Sequence, residues 1–242
     1  MKMPRLIAHR GVSADYPENT IPAFEKALEL PVDAIEFDVH PTRDGALVIT
    51  HDDSLERCSN GRGPVAEHSL EELRRLDFGA WLDPRFAGTR IPTFEELLDL
   101  VEAKRPELYL CVELKENNRE CARKVIRELE RRNRIDNCSI ISFHPQMLFY
   151  ARERNPHLLL HGFLDAETID LPENRELLRT IGRVGIHRDK LSPELTDRFH
   201  RLGIEVDSWS ADNDAELDRM LAAHVDTVTS NAPHRILHRF QK

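Results

Sequence analysis

The fold is decided by residues 5–40, RLIAHRGVSADYPENTIPAFEKALELPVDAIEFDVH. A short apolar run at 5–9 is followed by helically spaced apolar residues at 20–28 and by a second apolar run at 34–39. This change of periodicity predicts a strand, a helix and another strand. The chain therefore opens with one strand–helix–strand unit of an α/β fold.

The same alternation continues toward the end of the chain. Apolar runs predict further strands at 108–113, 139–143, 158–163, 184–187, 204–209 and 227–230. Helical patterns lie between them: one begins at a cap on Asn19 or Thr20, one at Thr93 with a Thr-x-x-Glu capping box, and one at Asp212. About eight strand–helix units predict a TIM (β/α)8 barrel. A doubly wound open sheet is the alternative, because periodicity alone does not separate the two folds.

One segment, at about residues 52–92, interrupts the alternation of strands and helices. It contains a turn at 60–64, a short helix with its own capping box at Ser69, and an aromatic stretch that includes Phe78 and Trp81. The apolar run at 47–50 before it is expected to extend or cap the second strand. We interpret residues 1–242 as one barrel domain with this small insertion after the second strand.

Composition narrows the functional classes. The 242 residues contain 40% hydrophobic and 32% charged side chains, which excludes a collagen-like or disordered chain. The net charge of −9 argues against non-specific nucleic-acid binding. No run approaches the roughly 18 apolar residues of a membrane helix, and the N-terminus lacks the apolar core of a secretory signal. Four scattered cysteines suit a reducing compartment, so we expect a cytoplasmic protein without stable membrane insertion.

Charged side chains cluster where the predicted strands end. His9 and Arg10 follow the first strand, Glu36 and Asp38 lie on one side of the second, and Glu113 and Lys115 end the third, with His51 before the insertion. Barrel enzymes carry their catalytic groups at this face.

Carboxylates in apolar strands are costly to bury unless a charge compensates them. Glu36, Asp38 and Glu113 therefore suggest a hard divalent cation, Mg²⁺ or Ca²⁺. Arg10 and Lys115 suit an anion, and His9 and His51 can exchange protons near neutral pH. Together these groups favour transfer at a phosphate centre. Each also has a structural interpretation, because strand-end histidines occur at His144, His161 and His187 too, and the carboxylates could pair with surface arginines.

The chain resembles the glycerophosphodiester phosphodiesterase family over nearly its whole length. The similarity is most specific up to Arg57 and weaker beyond Phe143. The matching positions are Ala8-His9-Arg10-Gly11, Pro17-Glu18-Asn19-Thr20, Glu36-Phe37-Asp38-Val39, Thr42-Arg43-Asp44-Gly45, His51-Asp52, Leu55-Glu56-Arg57, Ile91-Pro92-Thr93, Glu113-Leu114-Lys115, Ser142-Phe143, Trp209 and Val225-Asp226.

The resemblance implies cleavage of a small-molecule glycerophosphodiester into sn-glycerol 3-phosphate and an alcohol. It assigns His9 and His51 as the acid–base pair, and Glu18 or Asn19 as groups that orient the others. It further implies one divalent metal, Mg²⁺ or Ca²⁺, on Glu36, Asp38 and Glu113, and a substrate site formed by Arg10, Lys115 and Trp209. The nucleophile is then either the glycerol 2-hydroxyl or water.

Two segments depart from the family pattern, and alternatives remain. Residues 210–212, which follow the matching Trp209, and residues 229–233 differ at the pocket rim, which leaves head-group selectivity open. A lysophospholipase D-type enzyme is the nearest alternative, with Phe78, Trp81, Leu82 and Phe86 as a possible apolar surface, although packing of the insertion explains these residues more simply. An amidohydrolase barrel would begin with His-x-His, which this chain lacks. A barrel that only binds ligand should have lost at least one of the polar site residues, and all seven are present: His9, Arg10, Glu36, Asp38, His51, Glu113 and Lys115.

Overall fold

The computed structural model describes residues 3–164 and 167–240 and shows a closed barrel. Strand order runs β1-β9-β8-β7-β6-β5-β4-β2, and β1 also pairs with β2, so the parallel sheet has no open edge. This closure confirms the predicted TIM (β/α)8 barrel and excludes the doubly wound alternative. The strands are β1 Arg5–His9, β2 Ala34–Pro41, β3 Leu47–Ile49, β4 Tyr109–Leu114, β5 Cys138–Ile141, β6 Leu159–Phe163, β7 Arg183–His187, β8 Glu205–Trp209 and β9 Thr227–Ser230.

Helices surround the barrel and follow the strands as predicted. The capping boxes expected at Ser69 and Thr93 are both formed. Thr20 is the N-cap of the first helix, but its hydroxyl donates to the Pro17 carbonyl and makes no capping bond. The helices are α1 Ile21–Leu28, α2 Leu70–Leu73, α3 Phe94–Lys104, α4 Arg119–Arg131, α5 Pro145–Arg154, α6 Arg175–Thr180, α7 Pro193–Arg201, α8 Asp214–Ala222 and α9 Pro233–Ile236. Among the described residues, no helix is long and apolar enough to cross a membrane.

The main hydrophobic core lies between the outside of the barrel and the helices. On β2, Phe37 is fully buried there, with its ring 6.1 Å from Phe24 of α1 and 6.0 Å from Phe94 of α3. Ile35 and Val39 belong to the same core. Because side chains alternate along a strand, Glu36 and Asp38 must point into the barrel.

The run at 47–50 does not extend the second strand along its length. It forms the short strand β3, which pairs antiparallel with the end of β2, so that Val39 lies opposite Ile49. The insertion then builds a small core of its own, which includes Val48, Leu73 and Phe78. Strand β3 and this second core place His51 beside the carboxyl ends of β2 and β4.

We expect Leu73→Ala to lower the free energy of unfolding by about 2–5 kcal/mol, because it leaves a cavity at the centre of the insertion's core. Denaturant unfolding measures this change. The matched control is Leu202→Ala, whose side chain is 56% exposed and whose effect should stay within about 0.5 kcal/mol. Equal effects of the two substitutions would contradict a packed core in the insertion.

Candidate active site

Three buried carboxylates meet at the carboxyl ends of neighbouring strands. Glu36 and Asp38 come from β2 and Glu113 from β4, and Asp38 is paired in register with Glu113. One oxygen from each of the three lies within 4.8 Å of the others. The inward alternation of β2 and its parallel pairing with β4 are therefore sufficient to assemble the cluster.

Two cations partly balance these charges. Arg10 Nε lies 3.2 Å from Asp38 Oδ2, and Lys115 Nζ lies 2.7 Å from Glu113 Oε1 and 3.5 Å from Asp38 Oδ1. Burial alone would raise the pKa of Asp38, but the Arg10 and Lys115 charges lower it. Burial and the neighbouring carboxylates raise the pKa of Glu36 well above its usual value. Burial and the Asp38 charge raise the pKa of Glu113 to about 7. Two cations are thus too few for three ionised carboxylates.

The chemistry of this donor set fits a divalent cation. Glu36 Oε1 and Asp38 Oδ1 are buried and accept no hydrogen bond. Buried oxygens without a hydrogen bond are costly, and a bound cation would satisfy them. An all-oxygen set is the kind that Mg²⁺ and Ca²⁺ prefer.

His9 is held at its Nδ1 by a chain of residues from the other end of the sequence. Its Nδ1 lies 2.7 Å from Asn231 Oδ1, while Asn231 Nδ2 donates to Asp212 Oδ2 at 2.8 Å. Since the amide nitrogen is engaged by Asp212, the amide oxygen faces His9 and accepts its Nδ1 proton. His9 Nε2 then lies 3.7 Å from Glu36 Oε2. Burial, followed by the Arg10 charge, lowers the pKa of His9 to about 4.

His51 is held in a comparable way by a carboxylate. Its Nδ1 donates to Asp52 Oδ1 at 2.6 Å. Arg57 of the insertion binds Asp52 through Nε, at 2.6 Å, and also binds Glu18 at 2.8 Å through Nη1. Glu18 in turn accepts a hydrogen bond from Arg10 at 2.9 Å. One arginine thereby links the supports of His51 and Arg10.

The loop after β1 has a backbone that brings Arg10 over the carboxylates. Arg10 has φ 57° and Gly11 has φ 81°, both in the left-handed region. A Cβ on Gly11 would lie 2.6 Å from the backbone of Ala23, so only glycine fits this close approach. Asn19, with φ 59°, donates from Nδ2 to Asp38 Oδ2 at 2.7 Å. Asn19 thus contacts Asp38, as Glu18 contacts Arg10, and the orienting role expected of Glu18 or Asn19 stays a prediction.

A cavity of about 170 Å³ joins these groups. Of the predicted site residues, seven line it: His9, Arg10, Glu36, His51, Glu113, Lys115 and Trp209. Asp38 lies behind Arg10 and Lys115 and is fully buried. Phe143 and Phe163 form an aromatic wall, with their rings stacked 3.6 Å apart and the Trp209 ring edge-on to Phe163 at 5.4 Å.

The aromatic residues of the insertion lie elsewhere. Phe78 belongs to the insertion's own core, and Trp81 donates its Nε1 proton to the Phe78 carbonyl. Phe86 packs on Tyr16, with a centroid distance of 5.4 Å. Among the described residues that line the cavity, none comes from these positions.

Sequence reasoning missed Asn231 and Asp212 as supports of His9, and His161 and Asp207 as residues that line the cavity. In the sequence, residues 210–212 and 229–233 stand out as departures from the family pattern and not as supports of His9. The sequence signal that could have identified Asn231 and Asp212 is their position just after β9 and β8, at the same carboxyl-terminal face of the barrel as His9.

A family model described as the glycerophosphoryl diester phosphodiesterase family matches residues 9–235. A glycerophosphodiester phosphodiesterase from Caldanaerobacter subterraneus subsp. tengcongensis is 32% identical over 240 residues, which cover 98% of each chain. One from Bacillus subtilis is 29% identical over 262 residues, 98% of this chain and 86% of the relative. Among solved structures, an Oleispira antarctica phosphodiesterase in complex with the product sn-glycerol-3-phosphate has a TM-score of 0.90 at 25% identity, and the match covers 99% of this chain and 98% of that one.

We expect Asp38→Asn to weaken binding of Mg²⁺ and of Ca²⁺ by at least about tenfold, because it removes the charge of one of the three buried carboxylates that could hold a cation. Titration calorimetry measures the affinity, and the melting temperature verifies the fold. Asp53→Asn changes an exposed carboxylate next to the site and serves as the control. Unchanged cation affinity in a folded Asp38→Asn protein would mean that the cluster is not the cation site.

Proposed function

The chain belongs to the glycerophosphoryl diester phosphodiesterase family, and on that premise we propose that it hydrolyses glycerophosphodiesters to sn-glycerol 3-phosphate and an alcohol with the help of one divalent cation. It is an enzyme of the phosphodiesterase class. The observation that carries the proposal is the cluster of Glu36, Asp38 and Glu113, in which two buried oxygens accept no hydrogen bond, beside Arg10 and Lys115. The product in the Oleispira antarctica structure supports the substrate class.

Glu36, Asp38 and Glu113 would hold the cation, which when bound supplies positive charge to the phosphoryl oxygens. Arg10 and Lys115 add two further positive charges on the same cavity. Both side chains remain charged near neutral pH, since the carboxylates around them raise their pKa values although burial opposes this. They would therefore neutralise a phosphodiester and stabilise the extra charge of its transition state. Trp209 would form one wall of the substrate pocket.

The two histidines have complementary supports for proton transfer. Each donates its Nδ1 proton, to Asn231 or to Asp52, which leaves Nε2 as the atom that exchanges protons with substrate. Burial holds the pKa of His51 below its usual value, but the anionic Asp52 opposes this and stabilises the protonated form of the ring, as a carboxylate does in a catalytic triad. Asn231 is neutral, and the low pKa of His9 keeps that ring unprotonated.

We therefore assign His9 as the base that takes a proton from the nucleophile and His51 as the acid that protonates the leaving alcohol. The nucleophile is the glycerol 2-hydroxyl, giving a cyclic phosphate that water then opens, or water directly. A trap for the cyclic phosphate during turnover distinguishes the two routes.

The proposed reaction is tested by release of glycerol 3-phosphate from glycerophosphocholine and glycerophosphoethanolamine. Protein stripped of metal should be inactive and should recover on addition of Mg²⁺, Ca²⁺ or Mn²⁺, and the most effective ion identifies the cofactor. Absence of release with every ion, together with cleavage of lysophosphatidylcholine, would replace the proposal with a lysophospholipase D-type activity. Inactivity on both substrates in a protein that binds metal would favour a barrel that only binds ligand.

We expect His9→Ala and His51→Ala each to lower turnover by about 10²–10⁴-fold, because each removes one proton-transfer group. Rates are measured on glycerophosphocholine, with melting temperature as a check on folding. His157→Ala, an exposed histidine before β6, is the control and should leave turnover unchanged. A folded His51→Ala enzyme that keeps most of its activity would remove His51 from the mechanism.

Arg57 acts indirectly, through Asp52 and Glu18. It contacts both carboxylates and is not among the described residues that line the cavity. We expect Arg57→Ala to lower kcat by about 10–100-fold through misplacement of His51 and Arg10. Arg57→Lys should recover only part of the loss, because a lysine cannot bind two carboxylates with the fork geometry of arginine.

The control for Arg57 is Arg62→Ala, an exposed arginine of the same insertion. Separate measurement of kcat and KM distinguishes positioning of the acid from a general loss of substrate binding. A kcat equal to that of the unmodified enzyme in Arg57→Ala would show that this link is only structural.

A further inference from the structure

A buried histidine without partners lies deep in the barrel. His161 is on β6, two residues before Phe163 and on the same inward side, so it lies roughly 7 Å deeper along the strand. It is 2% exposed, and neither Nδ1 nor Nε2 makes a hydrogen bond within the described part of the chain. Leaving two polar atoms unsatisfied in the interior is costly, and such atoms in a native protein call for a ligand or an ordered water.

His161 faces the cavity already described. It lines that cavity together with His9, Glu36 and Glu113.

The space for the His161 ring depends on Gly185 of β7, where a Cβ would lie 2.8 Å from His161 Nε2 and 2.5 Å from the Phe163 ring. Asp207, the carboxylate that lines the same inner part, accepts hydrogen bonds from Thr227 and Thr229.

The charge state of His161 indicates what it can bind. Burial, followed by the Arg183 charge, lowers the pKa of His161 well below its usual value, so the ring is neutral near pH 7. A neutral imidazole has one N–H donor and one acceptor nitrogen. This pair matches a hydroxyl group, which also donates and accepts, and does not match a phosphate, for which Arg10 and Lys115 are better suited.

The space around the aromatic wall has two branches. The inner branch is the cavity of about 170 Å³ that reaches His161. The outer branch, of about 370 Å³, runs past Phe143 and Trp209 toward His187 and Lys190. Phe163 and Trp209 line both branches. The constant part of the proposed substrates is the small glycerol moiety, and the alcohol varies in size, so the inner branch suits glycerol and the outer branch suits the alcohol.

We propose that His161 is a specificity-determining residue that hydrogen-bonds the terminal hydroxyl of the substrate's glycerol moiety. This inference rests on the proposed function. The terminal hydroxyl is the one furthest from phosphorus, and with the phosphate at Arg10 and Lys115 it is the one that can reach deepest into the inner branch. The glycerol 2-hydroxyl, one carbon nearer to phosphorus, stays close to His9.

The test compares two ligands that differ only in this hydroxyl. They are sn-glycerol 3-phosphate and the 2-hydroxypropyl phosphate of matching configuration, which keeps the 2-hydroxyl and lacks the terminal one. Dissociation constants are measured by titration calorimetry with Mg²⁺ present, so that the readout does not depend on turnover. We expect the unmodified protein to prefer sn-glycerol 3-phosphate by at least about tenfold, because the ligand without the terminal hydroxyl leaves His161 unpaired.

We expect His161→Phe to reduce this preference to within about twofold while the affinity for methyl phosphate, which has no glycerol hydroxyl, stays within about twofold. His161→Gln keeps one donor and one acceptor and should retain part of the preference. His157→Phe makes the same substitution on the exposed histidine before β6 and should retain all of it.

Absence of a preference in the unmodified protein overturns the inference whatever the variants do, because His161 then holds only water. An equal preference in His161→Phe, or an equal loss in His157→Phe, also overturns it. Hydrolysis of glycerophosphocholine by the unmodified protein is measured separately. If hydrolysis occurs and the preference is absent, the inference fails and the proposed function stands; if neither occurs, the proposed function fails as well.

Discussion

The site depends on the alternation of side chains along β2. The hydrophobic core outside the barrel takes Ile35, Phe37 and Val39, and the pleat of the strand then forces Glu36 and Asp38 into the interior. The free energy gained by burying the apolar face of β2 therefore also holds Glu36 and Asp38 in the barrel interior, although burial of these two carboxylates is itself unfavourable. A carboxylate cluster built in this way is rigid, since its side chains cannot turn toward water without unpacking the core.

Much of this arrangement could be predicted, because its parts are close together in the sequence or repeat along it. Strand periodicity located eight barrel strands, and the polar residues at their ends located His9, Glu36, Asp38 and Glu113. The apolar run that forms β3 was expected to extend or cap the second strand, but its antiparallel pairing with β2 was not predicted, since three residues carry too little periodicity to show a strand direction.

The supports of the site were harder to predict, because barrel closure creates them. His9 and Asn231 are 222 residues apart in the chain and meet only when β1 pairs with β9. Asp212 is harder still to predict, since it supports His9 only indirectly, through its contact with Asn231. His161 could not be singled out either, because His144 and His187 also lie near strand ends and burial decides which of them is enclosed.

The position of His51 has a consequence for stability. His9 lies at the end of a barrel strand, whereas His51 lies between β3 and the insertion, which has a separate, smaller core. Small cores open more readily than large ones, and local opening does not require the barrel to unfold. On heating, the segment should therefore open before the barrel melts, and turnover that depends on His51 in the proposed way should be lost with it. Such an early loss should reverse on cooling, because the folded barrel remains as a template on which the segment refolds.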